Sequence, residues 1–285
     1  MALTATSVTW NGLSIAGPSA GGQYQLRDIV GWDTTPNVSF ASVAIAGGRG
    51  AAVTPGQMDP RTVTVTGWCF NAAARDSLLA TFWSNAAPSV GDLTTDSLTV
   101  THAGLTLSAD AQLQKADASP EPGWAAGRFG FTLQWRCPDP MRYAPASTSV
   151  VAVKVPTLGI TFGISGSWVF PADPVGGVAL VFNQGNAASD VVFSLQGPIL
   201  GPGVAVKETG AFVNFDFDIG VGDVLTIDTA QGLCALNGVY RSPSVLSSLL
   251  NELRLPPNAM SSVQALGSPQ AGSPTLSVTV RPAYW

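Results

Sequence analysis

Apolar and hydroxyl-bearing residues alternate along much of this 285-residue chain. Val63, Val65 and Gly67 interleave with Thr62, Thr64 and Thr66, giving one strand an apolar face and a hydroxylated face. Leu98, Val100 and His102 interleave with Thr99 and Thr101, and Leu105 and Leu107 resume the pattern after Ala103-Gly104. The run 129–135 sets Phe129, Phe131, Leu133 and Trp135 on one side. A period of two with a single apolar face predicts antiparallel sheet buried on that face.

One segment breaks the period. Asn71 is placed to cap a helix whose apolar positions Leu78, Leu79, Phe82 and Trp83 recur at three and four residues. Ala72, Ala73 and Ala74 favour its first turn, and Pro88 with Gly91 ends the region. Laid over a sheet, this helix is expected to bury all four apolar side chains.

After Cys137-Pro-Asp-Pro140 the character changes. Pro138, Pro140, Pro145 and Ser147-Thr148-Ser149 predict a linker between two β-domains, spanning 1–147 and 148–285. Strands are expected at Val178–Phe182, Val191–Leu195, Phe212–Phe217, Val224–Ile227 and Thr275–Val280, with turns at Asn183-Gln-Gly-Asn186 and Gly201-Pro-Gly203. Such spacing reads as a sandwich. Ser242-Pro243 followed by Val245, Leu246, Leu249, Leu250 and Leu253 suits a short second helix, which Pro256-Pro257 cannot continue. The expected fold class is therefore mainly β, with one packed α-helix in the first domain and a β-sandwich in the second.

Composition sharpens this picture. Charged residues make up 11%, well under the roughly 25% usual in soluble proteins, while 46% are hydrophobic. So neutral an exterior suggests cover by further copies or partners, although a Ser/Thr-rich surface also keeps a monomer soluble. The 31 glycines and 21 prolines fall short of the roughly 25–30% that marks disorder, and imply many turns. A net charge of −5 and 13 scattered basic residues argue against a surface that grips DNA or RNA, since phosphate must be neutralised. Cys69, Cys137 and Cys234 fit neither a disulfide framework nor a zinc pattern; Cys69 and Cys137 lie in apolar strand-like runs where a buried free thiol is expected, and a reducing cytoplasm with it. The first residues show no basic and apolar leader pattern, and no apolar run reaches the ~18 residues needed to span a bilayer. Asn37-Val38-Ser39 matches a glycosylation sequon that has meaning only after secretion.

Little in the chain is arranged for chemistry. His102, the one histidine, would have to serve any Ser-His or Cys-His scheme, yet it sits on an alternating strand as a structural or solvent-facing ring. Gly163-Ile-Ser165-Gly-Ser167 begins like a nucleophile elbow but has Ser167 where the last Gly is required. Leu225-Thr-Ile-Asp228-Thr-Ala230 carries Ala in place of the Gly of an aspartic-protease loop, and no second copy occurs. Asp216-Phe-Asp218-Ile-Gly220 opens like a calcium loop, but Ile227 stands where the closing Glu belongs, and a strand with Phe215, Phe217 and Ile219 on one side explains it better. No carboxylate pair has a glycosidase context. A sugar platform among the eight Trp stays open, though Trp83 and Trp135 occupy core-like positions. Gly47-Gly-Arg-Gly50 is too short for a phosphate cradle. No catalytic, cofactor-binding or metal residue is assigned, and a scaffold rather than an enzyme is expected.

Tyr24-Gln-Leu-Arg-Asp-Ile-Val-Gly31, Gly47-Gly-Arg-Gly50, Arg61-Thr-Val-Thr-Val-Thr-Gly67 leading into 71–85, Phe131-Thr-Leu and Pro138-Asp-Pro140 form an ordered series. It resembles the siphophage distal tail protein family. The second half resembles the galectin-like domain of such proteins through Asn183-Gln-Gly185, Gly197-Pro198, Leu225-Thr-Ile-Asp-Thr229, Leu236-Asn-Gly238, Leu255-Pro-Pro-Asn258 and Arg281-Pro-Ala-Tyr-Trp285. One departure is Pro257, where that pattern has a Gly; proline excludes a positive φ there.

The resemblance implies a ring-forming belt domain over 1–147 and a galectin-like sandwich over 148–285. It also implies a structural protein of the phage tail tip, located in the virion after synthesis in the host cytoplasm. As a homohexamer it would link the tail tube protein to the tail-tip hub, with tape measure and receptor-binding proteins as further partners. DNA would pass a neutral or acidic lumen without specific binding, and no membrane is involved. Two other readings stay open. One is a tail-tip carbohydrate- or receptor-binding protein using the sandwich, although galectin sugar sites rely on His and the second half has none. The other is a tail-associated hydrolase.

Overall fold

Alternation becomes a barrel in the first half of the chain. The computed structural model describes residues 6–17, 23–40, 42–44, 51–53, 56–85, 95–118, 122–153, 177–270 and 272–285, with backbone alone at 42–44, 51–53 and 82–85. Two units emerge, Met1–Ala144 with Trp285, and Pro145–Tyr284.

In the first unit the strands are β1 (Ser7–Trp10), β2 (Leu13–Ala16), β3 (Tyr24–Val30), β4 (Val38–Ser39), β5 (Ser42–Ala44), β6 (Ala51–Val53), β7 (Gln57–Met58), β8 (Arg61–Phe70), β9 (Asp96–His102), β10 (Leu105–Ala118), β11 (Arg128–Cys137) and β12 (Arg142–Tyr143), with helix α1 at Ala72–Asn85. Seven run in the order β11-β8-β3-β2-β1-β9-β10, and β10 pairs back onto β11, so the sheet closes. Inward positions alternate as the sequence predicts: Val63, Val65 and Cys69 on β8, Leu98 and Val100 on β9, and Phe129, Phe131, Leu133 and Trp135 on β11 are all buried. Trp10 and Trp135 meet edge-on among them, ring centroids 5.7 Å apart. Burying such side chains stabilises the fold by roughly 1.5–3 kcal/mol each.

Two hairpins of this wall turn in two residues with both φ values positive, at Asn11-Gly12 (43° and 78°) and Ala103-Gly104 (50° and 84°). That geometry matches strand twist and suits Asn and Gly; Ala103 adopts it against its Cβ.

Helix α1 forms where predicted. Asn71 Oδ1 accepts from the Ala74 amide at 2.7 Å, the expected cap. Ala74 and Leu78 are fully buried and Leu79 is half-buried; the Phe82 and Trp83 side chains lie outside the described residues. Tyr24 donates to the Ala74 carbonyl at 2.7 Å, fastening β3 to the helix.

The second unit holds β13 (Ser147–Ala152), β14 (Val178–Asn183), β15 (Val191–Gln196), β16 (Ile199–Val206), β17 (Ala211–Asn214), β18 (Val224–Asp228), β19 (Leu233–Leu236), β20 (Val239–Tyr240), β21 (Ala259–Pro269), β22 (Thr275–Val280) and β23 (Ala283–Tyr284). A six-stranded sheet, β13-β22-β15-β18-β19-β20, and a four-stranded sheet, β14-β21-β16-β17, share one core. Phe193, Leu195, Ile227 and Val278 enter it from the first sheet, and Val181, Val204, Val213 and Val263 from the second.

Four sequence expectations are corrected here. Ser147-Thr148-Ser149 is no linker but the start of β13, paired residue by residue with β22. Gly201-Pro-Gly203 is no turn but a bulge inside β16, where the register against β21 shifts between Leu200 and Gly203. The strand expected at Phe212–Phe217 leaves its ladder after Asn214, although Phe215 and Ile219 remain buried. No α-helix follows Ser242-Pro243: only Leu250–Leu253 coils, as one 3₁₀ turn. Serines at 244, 247 and 248 bond to β17, and Ser244–Ser247 closes a turn, the Ser247 amide donating to the Ser244 carbonyl at 3.0 Å.

Candidate interaction surfaces

The residues singled out for chemistry do not assemble. His102 closes β9; its Nδ1 lies 2.7 Å from Thr6 Oγ1, and the two share a cavity of about 180 Å³ with Asp28, Trp32 and Asp33. A hydroxyl on an imidazole is the core of a nucleophile–base pair, but Thr6 is 2% exposed and the Asp33 carboxylate is held by Arg142 at 2.6 Å. The contact is a clasp between strand ends. Asp228 accepts from the Ala230 and Gln231 amides and closes a turn. Asp218 accepts from the Gly201 amide, bracing the β16 bulge. Among the described residues no group of three His, Cys, Asp or Glu side chains could hold a metal ion. Gly163-Ile-Ser165-Gly-Ser167 and Gly47-Gly-Arg-Gly50 lie outside the described residues.

All three cysteines are free and buried. Burial pushes the Cys137 and Cys234 thiols up to about 11 and raises Cys69 as well, so each resists forming the reactive thiolate. Of the tryptophans, Trp10, Trp32 and Trp135 are buried, which withdraws them from any sugar platform.

The motif pieces converge instead on two structural knots. Arg61, 3% exposed, donates to the carbonyls of Gly31, Trp32, Thr34 and Pro140. It thereby gathers the ends of β3, β8 and the Pro138–Pro140 turn around one guanidinium. Burial, and then the neighbouring Arg142 charge, lower its pKa. Arg142 stacks over Trp32 and donates to the Trp285 carbonyl oxygen. In the second unit Asn183, fully buried, donates to the carbonyls of Ala187, Leu255 and Pro256 and accepts from the Gly185 amide and Ser189 hydroxyl. Asn258 then donates to the Gly185 carbonyl, and Ala283 to Ser189 Oγ. A Cβ on Gly185 would lie 2.0 Å from the Ala283 carbonyl oxygen, so only glycine fits. Pro257 is accommodated because the left-handed position falls on Asn258, at φ 47°.

What remains is surface, and three parts of it are unusual. The first is a pair of short ladders: among the described residues β4 pairs only with β7, and β5 only with β6, and neither joins the barrel sheet. Val38 and Phe40 there are 44% and 63% exposed.

The second is a cleft of about 520 Å³ beside β2, lined by Gly12, Leu13, Ser14, Tyr24, Ser77 and Thr81 among others. Beside it, among the described residues, β2 and β3 pair through the single bridge Ala16↔Gln25.

The third is the strip after β20, which turns at Ser244–Ser247. The Ser244 and Ser248 amides donate to the Asn214 and Phe212 carbonyls, while Ser247 and Ser248 hydroxyls accept from the Asn214 and Phe212 amides. With its serines turned inward along the β17 edge, the strip turns Val245, Leu246 and Leu249 outward, at 99%, 82% and 68% exposure. The heptad-like apolar spacing that predicts a helix thus marks an outward-facing surface, and only the interleaved serines could have signalled it.

A closed barrel carrying one α-helix among the described residues, with a two-sheet sandwich as a second unit, defines a β-rich two-unit fold. The fold is similar to that of SPP1 Dit (gp 19.1), described as a paradigm of the hub adsorption apparatus in phages infecting Gram-positive hosts. The likeness covers 96% of this chain and 98% of that one, with a TM-score of 0.63 and 14% identity. A weaker likeness joins it to chains of the phage P2 baseplate in its activated conformation, with TM-scores of 0.44 with Ca and 0.42 with Sr, each at 10% identity and covering 96% of this chain and 97% of that one. No family model matches the sequence, and no curated protein matches it.

Proposed function

We propose that this chain is a structural, non-enzymatic component of a phage tail tip, of the distal tail protein kind. Its 1–147 domain forms a homohexameric ring and its 148–285 domain is a galectin-like sandwich. The ring continues the tail tube, binds the tail tube protein on one side and the tail-tip hub on the other, and lets DNA pass through its lumen. Tape measure and receptor-binding proteins complete the set of neighbours. The observation that carries this reading is the likeness to SPP1 Dit over nearly the full length of both chains. Sparse charge and apolar surface on both units fit a molecule covered by copies and partners.

The test is the mass of the assembled particle together with end-on class averages in negative stain. A six-subunit ring with an open centre is expected. A protein that stays single and binds a glycan array would instead favour the carbohydrate-binding reading.

A further inference from the structure

The outward positions of β8 and β11 make a hydroxyl-rich wall, with Thr64 and Thr66 facing Gln134 and Thr132. At one end of this wall the sheet brings together two arginines that the sequence keeps far apart. Arg128 lies directly opposite Phe70, and Gly130 opposite Trp68, so the indole has no side chain across from it on β11. On the other flank of β8 the Arg27 guanidinium lies over the Trp68 ring, 6.0 Å from its centroid. Arg27 sits in the bulge of β3, where the register against β8 shifts between Leu26 and Asp28, and the extra residue places it on the outer face.

Both arginines are exposed, and neither is in an ion pair among the described residues. Carboxylates at neighbouring positions are engaged: Asp117, opposite Thr132, pairs with Lys115, and Asp28 accepts from the Ile29 amide at 2.9 Å. A guanidinium stacked on an indole keeps its N–H edge free, and that edge binds a carboxylate through two parallel hydrogen bonds. The stack also holds the side chain in place, so less freedom is lost on binding. Charge and polarity select the occupant. A long polyanion needs more cations than these two, and the net charge of −5 opposes its approach. Phe70, 45% exposed beside Arg128, calls for an apolar neighbour. A short acidic peptide with an apolar residue meets both demands.

Two strand spacings across and roughly three residues of rise put the Arg27 and Arg128 backbones about 14 Å apart. Four residues of extended chain span about 13 Å and return to the same face. We propose that this wall binds an extended segment of a partner protein bearing two carboxylates four residues apart, with an apolar residue midway. One carboxylate pairs with Arg27 on Trp68, the other with Arg128, and the apolar side chain lies against Phe70 and the gap at Gly130. This goes beyond the ring reading and does not depend on it.

The test titrates the full-length chain into a fluorescein-labelled peptide, Gly-Ser-Asp-Thr-Leu-Thr-Asp-Ser-Gly, and reads anisotropy at low salt. Saturable binding with Kd below about 1 mM is expected. The same peptide with Asn in place of both Asp should bind at least about tenfold more weakly. Arg27→Gln and Arg128→Gln should each weaken binding at least about fivefold. Arg27→Lys, which keeps the charge but not the fork, should weaken it at least about threefold. Arg136, exposed on the same strand about 26 Å from Arg128, is the control, and Arg136→Gln should leave binding unchanged. All four substitutions are at exposed positions, and circular dichroism confirms that each variant folds.

Absence of saturable binding below about 1 mM, or equal binding of the Asn peptide, would overturn the proposal. So would an Arg136→Gln loss as large as that of Arg27→Gln, which would mean diffuse attraction rather than a site. Polyphosphate that competes with the Asp peptide and binds more tightly would make a phosphate polymer the occupant and overturn the peptide. None of these outcomes bears on whether the chain forms a ring.

Discussion

Replacing Asn183 by Ala tests how the second unit is held together. Asn183 is fully buried and makes five contacts at 2.9–3.3 Å to two separate stretches of chain, 185–189 and 255–256. Its amide has only two hydrogens for three carbonyls, so four independent hydrogen bonds is the fair count. At a net 0.5–1.5 kcal/mol each, their loss costs about 2–6 kcal/mol. Gly185 N–H and Ser189 Oγ–H would be left buried without this acceptor, which moves the expectation to about 4 kcal/mol or more. That is a large part of the ~5–15 kcal/mol that holds a typical domain. Asn183→Asp keeps the shape but sets a carboxylate against three carbonyls, and is expected to cost at least as much at neutral pH. Urea denaturation followed by far-UV circular dichroism measures the loss, and hydrogen exchange at Gly185 and Asn258 locates it. A loss below 1 kcal/mol for Asn183→Ala would refute the view that this side chain knots the motifs together.

Three further outcomes are expected. Arg61→Met removes three N–H donors, one on Nε and two on Nη1, that four carbonyls share, and should destabilise the first unit by about 3 kcal/mol or more, read as a lowered urea midpoint. Ala103→Asn, at φ 50° in its two-residue turn, should stabilise by about 0.5–1 kcal/mol in thermal melts, since Asn tolerates that conformation. The Cys137 and Cys234 thiols have folded-state pKa values raised to about 11 by burial. Their neutral forms therefore favour the fold fully below the ordinary thiol range, and that contribution is lost as pH rises towards 11. Unfolding free energy should fall by about 1.4 kcal/mol per pH unit per thiol across that window, and Cys137→Val with Cys234→Val should flatten the slope.

Strand faces were legible in the sequence because burial follows a two-residue period, as at 63–69 and 129–135. Helix α1 was legible from its cap and apolar spacing. The chain from Ser242 to Leu253 was not, because a three-and-four spacing of leucines is equally what remains when serines take the inward positions against a strand edge. The bulge at Gly201–Gly203 looks like a turn in sequence for a similar reason: Gly-Pro-Gly fits both, and only the partner strand β21 decides. The knots at Arg61 and Asn183 were visible as motif pieces but not as contacts, since their partners stand tens of residues away.

The strip along β17 has one further consequence. Its hold on the sandwich is made by serine hydroxyls and main chain, so the identities at 245, 246 and 249 are free of any duty to the interior. Substitution at these three positions is therefore expected to change the outer face while the scaffold beneath keeps its melting point.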